Sequence, residues 1–139
     1  MHSPTTCAAA ATLAFAALAA AGCRGEGGTE PPPPPQPGTL AVHFVTPNTG
    51  DRAARIAVRG GPVTAVRAEA GDVTVHAAPD GAGALVIAVG PLATGVVARL
   101  DVPDVNQQGR YTAAVVDVAD GRYALRPDGL PGYAATVQR

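Results

Sequence analysis

The chain has no Lys and no Trp, a single Ser (Ser3), and only two Cys, Cys7 and Cys23. Charged residues fill 15% of its 139 positions and aromatic residues 4%. Each shortage excludes something. Arg balances Asp and Glu almost evenly, for a net charge of −1, so there is no basic field to recruit nucleic acid and no acidic tail. Ser3, Cys7 and Cys23 all fall in the first 23 residues, and acyl transfer by the rest of the chain would lack a Ser or Cys nucleophile. His43 and His76 are the only imidazoles after His2, and two His without a free thiolate do not make a tetrahedral zinc site. Without Trp, a flat sugar-binding platform would have to come from Tyr111, Tyr123 and Tyr133. What the chain does have is an apolar fraction of 47%, too high for a wholly disordered protein, and a length suited to one domain.

The run from Ala8 to Ala21 contains no charge. Its helix would be roughly 21 Å long, too short for a hydrocarbon core of about 30 Å but the right size for the apolar region of a signal peptide. The run ends in Leu18-Ala19-Ala20-Ala21-Gly22-Cys23. This resembles the lipobox of bacterial lipoprotein precursors. The resemblance implies diacylglyceryl transfer to the Cys23 sulfur and cleavage between Gly22 and Cys23. Residues 1–22 would then be the signal peptide, Ser3 and Cys7 would be removed, and no disulfide could form within one mature chain. Arg24, where families of this kind carry Asp for inner-membrane retention, points to the outer membrane or cell surface. Ordinary secretion, with cleavage after Ala19-Ala20-Ala21, is the alternative.

Residues 23–38 read as a tether. Gly25, Gly27 and Gly28 loosen its start, and Pro31 to Pro35 impose polyproline II over roughly 15 Å. Residues 39–139 hold all seventeen Val and both Ile, which favour a pleated, half-buried surface. Apolar residues recur there with period two: Leu40, Val42 and Phe44; Ile56 and Val58; Val73 and Val75; Leu85, Ile87 and Val89; Val96, Ala98, Leu100 and Val102; Tyr111, Ala113 and Val115; Tyr133, Ala135 and Val137. Val66 to Glu69 and Tyr123 to Leu125 add two fainter segments, and residues 63–70 could instead form one helical turn. Gly and Pro signals separate the pieces, as at Gly60-Gly61-Pro62, Pro79-Asp80-Gly81 and residues 103–109. Seven to nine short strands in a domain of this length predict an all-β, two-sheet antiparallel sandwich.

Gly109-Arg110-Tyr111-Thr112-Ala113, following Leu100, Val102 and Val105, resembles the tyrosine corner of immunoglobulin-like sandwiches. That resemblance implies a Tyr111 hydroxyl returned to loop backbone, with Ala113 where antibody-type domains carry Cys. The ending Gly132-Tyr133-Ala134-Ala135-Thr136-Val137 is similar to a shortened cohesin-like or carbohydrate-binding-module-like body, in which the last strand pairs back near the first.

Three sets of residues are candidates for chemistry. Asp101, Asp104 and Asn106, with Asp117 and Asp120-Gly121, offer oxygens for calcium, although no loop carries contiguous D-x-D-x-D-G spacing. Arg55 and Arg59 share one side of a strand within a segment, residues 52–67, of net charge +4, and suit an anionic envelope polysaccharide or lipid headgroup. His43 and His76 fall on outward faces. The resulting expectation is a cell-envelope lipoprotein with a non-enzymatic binding or structural module, held to the membrane by its N-terminal lipid, with no cofactor and no nucleic acid. Its partner would be another envelope protein or a polysaccharide. The alternative is a calcium-dependent carbohydrate-binding or accessory enzyme domain using Asp101, Asp104, Asp117 and His76, with Asp120 a further calcium candidate. A third reading has a partner completing an exposed edge strand.

Overall fold

The computed structural model describes residues 31–127 and 130–139. The signal-peptide reading, the cleavage point at Gly22 and the lipid site at Cys23 lie outside the described residues. Residues 32–139 form one compact unit.

Eight strands build it: β1 (Gly38–Val45), β2 (Asp51–Arg59), β3 (Ala65–Ala68), β4 (Thr74–Asp80), β5 (Gly83–Val89), β6 (Gly95–Val102), β7 (Thr112–Asp120) and β8 (Ala134–Gln138). They make two antiparallel four-stranded sheets, one ordered β3-β6-β1-β8 and the other β4-β5-β2-β7. The expected two-sheet sandwich is what forms. Only the β4–β5 hairpin stays within a sheet; every other connection crosses between sheets. Residues 34–37 (the stalk), the 60–64 turn, the 81–82 turn, the 103–111 loop and the C-terminus therefore gather at one end. The 46–50, 69–73, 90–94, 121–127 and 130–133 segments gather at the other. We call these the stalk end and the far end.

The alternation of β1 and β2 dictates the core. Leu40, Val42 and Phe44 from β1 meet Ile56 and Val58 from β2, and all are fully buried. Leu100, Val86, Val118 and Val137 extend the layer on either side. Buried Ala54, Ala84, Ala88 and Ala98 bring little side-chain volume between the sheets.

Several expectations change in detail. In β5 the inward face is Ala84, Val86 and Ala88, not Leu85, Ile87 and Val89. Register decides this, because Val86 stands opposite Ile56 and Ala84 opposite Val58. A bulge opposite Val42/His43 sends Val97 inward beside Ala98 and leaves Val96 facing out, paired with His43. A second bulge at Arg55/Ile56 pushes Val116 outward. Residues 65–68 pair with β6 as a strand, which excludes the helical turn. Tyr123 to Leu125 contributes a single bridge, Ala119 to Leu125, rather than a strand. The turn expected over 103–109 is a loop, 103–111, built on a short 3-10 helix, Val105–Arg110, capped by the Asp104 carboxylate on the Asn106 N–H.

The folded body also starts earlier than Thr39. The Gln36 N–H donates to Asp104 Oδ1 (3.0 Å), the Val105 N–H to the Gln36 carbonyl (2.8 Å), and Asn106 Nδ2 to the Pro34 carbonyl (3.3 Å). Gly38 lies against Val105 so closely that a Cβ would stand 2.7 Å from its Cγ1. The last residues of the Pro-rich tract are thus fastened to the 3-10 helix.

Candidate interaction face

The outward sides of the two sheets differ in kind. On the β3-β6-β1-β8 sheet, polar side chains dominate. Arg67 pairs with Asp101, which also accepts from Thr39 Oγ1, and Arg99 forks onto Glu69 at 2.5 and 2.8 Å. That pairing holds the Glu69 carboxyl below its usual range and raises the Arg99 guanidinium. Thr136 and Gln138 complete a solvated surface.

The β4-β5-β2-β7 sheet carries mostly small and apolar groups outward, in rows that its register defines. One row across the strands is Thr74, Val89, Ala53 and Ala119. The next is His76, Ile87, Arg55 and Asp117, and the third is Ala78, Leu85, Ala57 and Ala114. The fourth, at the stalk end, is Asp80, Gly83, Arg59 and Thr112. The two Ala-containing rows hold no charge, and the numerous Ala leave a low relief that lets another backbone approach. From strand spacing and rise per residue, the first three rows cover roughly 300–400 Å² of sheet, of which Thr74 and the row His76, Arg55 and Asp117 are polar and Ala119, bridged to Leu125, is buried. Ile87 is 36% exposed, Val116 40% and Leu125 70%, three of the four large apolar side chains exposed among the described residues. Leu125 and Ile87 border one shallow groove with Ala53, Arg55, Asp117 and Ala119, about 390 Å³ in volume.

Arg55 and Arg59 do share one side of β2, as the sequence suggests, but neither stands alone. Arg55 pairs with Asp117 across to β7, and Arg59 with Asp80 at 3.3 Å. With Arg67 on Asp101, three of the four cations of the basic segment meet carboxylates from distant strands. The charge segregation seen along the chain therefore disperses in the fold.

The four Asp considered for calcium are each engaged elsewhere. Asp101 holds Arg67 and Thr39, Asp117 holds Arg55, and Asp104 caps the 3-10 helix and binds Gln36. Asp120 closes a turn by accepting from the Arg122 and Ala124 N–H groups. These backbone donors hold the Asp104 and Asp120 carboxyls below their usual range. Among the described residues, no three His, Cys, Asp or Glu come together as a metal site. His43 and His76 lie on different sheets.

The tyrosines separate as well. The Tyr111 hydroxyl donates to the Pro62 carbonyl at 2.8 Å, so the corner is pinned to the β2–β3 turn, 49 residues upstream. Burial pushes the Tyr111 phenol up. The Tyr133 ring lies 6.1 Å from that of Phe44, and its hydroxyl reaches Asp51. Tyr123 stands exposed on the far-end turn.

One polar centre escaped the sequence reading. Asp51 is fully buried at the far end of β2. It accepts from Thr46 Oγ1, from Arg126 through Nε and Nη2 at 3.0 and 2.8 Å, and from the Tyr133 hydroxyl at 2.9 Å. Asn48 Nδ2 donates in turn to the Tyr133 oxygen at 2.7 Å. The cluster ties the β1–β2 turn and two points of the β7–β8 connection, Arg126 and Tyr133, to one carboxylate, which is the chemistry of a clasp. Comparison with protein-family models, with curated proteins and with solved structures finds no match to this chain.

Proposed function

We propose that this protein is a lipid-anchored module of the bacterial cell envelope that binds another envelope component through the outer face of the β4-β5-β2-β7 sheet. The observation that carries the binding reading is the apolar row Ala78, Leu85, Ala57 and Ala114, set between two charged rows on a face where Ile87, Val116 and Leu125 stand exposed; each outer face carries two ion pairs, so ion pairing does not separate them. Anchoring rests on the lipobox-like run ending at Cys23 and on the Pro-rich tract that follows it. No chemical step is assigned, because the face offers packing surface, two ion pairs and one His.

A photo-crosslinking residue placed in cells at Ile87 or Ala57 tests the face, with His43 and Thr136 on the opposite sheet as controls. A discrete adduct with one envelope component, from the first pair only, is expected. Equal adducts from both faces, or none, would sink the reading. Intact mass of the membrane-extracted protein tests the anchor: the chain should begin at an acylated Cys23.

A further inference from the structure

At the stalk end, Arg59 and Arg110 line one cleft of about 450 Å³ whose remaining wall is the 60–62 and 81–82 turns. The two cations are 51 positions apart in sequence, and glycine brings them together. Gly60 has φ +120°, and a Cβ there would stand 1.9 Å from the Arg110 carbonyl oxygen. A Cβ on Gly61 would stand 2.7 Å from the Tyr111 hydroxyl. The turn therefore lies directly on the 110–111 backbone. The Tyr111–Pro62 hydrogen bond and the Gly60 N–H on the Ala82 carbonyl (3.0 Å) lock it there. These contacts fix the backbone from which the two Arg side chains extend.

Neither cation is strongly committed. Arg110 contacts Gln107 Oε1 at 3.4 Å and pairs with no carboxylate among the described residues. Arg59 Nη1 donates to the Val58 carbonyl at 3.4 Å and meets Asp80 at 3.3 Å, both side chains of that ion pair more than half exposed, an arrangement of little net worth that a better anion displaces cheaply. The cleft has no aromatic wall to stack a sugar, and nothing apolar larger than Pro62. Two forks of N–H donors, one from the end of β2 and one from the end of the 3-10 helix, match an anion with more oxygens than a carboxylate.

We propose that the Arg59–Arg110 cleft binds a phosphate group. The stalk docks on the 3-10 helix that ends at Arg110, so the phosphate can come from a lipid headgroup beside the anchor or from a soluble phosphate ester. Only the choice of source depends on the anchored reading.

The test uses the full chain carrying Cys23→Ala, which removes the anchor. Titration with inorganic phosphate at constant ionic strength, followed by amide NMR, should give saturating shifts at Gly60, Gly61, Gly81 and Ala82. Arg110→Gln should weaken binding about tenfold. Arg122→Gln, on the far-end turn, should leave it unchanged. Sedimentation with phosphatidylglycerol against phosphatidylcholine vesicles separates the sources. Arg110-dependent binding to the former assigns a headgroup, and phosphate saturation without vesicle binding assigns a soluble ester. Shifts that follow ionic strength alone, or that persist unchanged in Arg110→Gln, overturn the proposal.

Discussion

Asp51 is the residue on which the far end depends. Burial works to raise its carboxyl pKa, but hydrogen bonds from Thr46, Arg126 and Tyr133, with the Arg126 charge, outweigh that and hold it below the ordinary value. A carboxylate whose pKa is lower folded than unfolded stabilises the fold fully above the unfolded value, about 3.9. That stability is lost as pH falls through the folded pKa. Urea unfolding should therefore be flat in this contribution from neutral pH to about pH 5 and fall below about pH 4. Glu69, Asp104 and Asp120 are held low in the same direction, but at exposed sites where water screens the effect. Asp51→Asn should cost about 2–3 kcal/mol near neutral pH and flatten the acid limb. An unchanged acid limb in the variant would show that Asp51 does not govern it. Nothing in the sequence marked this residue. It closes a turn-like string, Thr46 to Asp51, and its partners Arg126 and Tyr133 lie 75 and 82 positions away.

At the level of the strand, β5 separates what alternation reveals from what it hides. β1 and β2 were legible because one face is large and apolar while the other carries His43, Arg55 or Arg59. In ALVIAV both faces are apolar, so period two does not say which is dry; pairing with Ile56 does. The two bulges were hidden for a related reason, since Val96-Val97 and Val115-Val116 are like neighbours of which only one faces in. The same ambiguity concealed the candidate face: Leu85, Ile87 and Val89 read as core and instead form its centre. That Arg55 and Arg59 share a side followed from spacing, whereas their carboxylate partners depended on tertiary register. Measured stabilities distinguish the two assignments of β5. Val86→Ala, emptying a fully buried site, should cost about 2–3 kcal/mol, and Ile87→Ala less than about 1 kcal/mol. The reverse order would restore the face that alternation suggested.

For the whole molecule, closure comes last in the chain. β8 lies beside β1, with Val137 opposite Val42 and Ala135 opposite Phe44, so the first strand gains its second neighbour only when the final residues arrive. A chain ending at Gly132 loses Tyr133 from Asp51 and Phe44, loses Val137 from the core, and bares one edge of β1. The combined cost is on the order of 5 kcal/mol or more, comparable with the entire stability of a small domain. The truncated chain should show no cooperative thermal transition by circular dichroism. A cooperative melt near that of the intact protein would mean that β8 is dispensable.

The stalk runs straight into β1, which is flanked on both sides by antiparallel neighbours. A pull along the tether therefore slides that strand lengthwise against β6 and β8 together, and many hydrogen bonds share the load at once. Had the tether entered at β3 or β4, the same tug would peel an outer strand away bond by bond. Were the module anchored through this segment and held by its outer sheet face, as proposed above, that wiring would load β1 in shear rather than in peel.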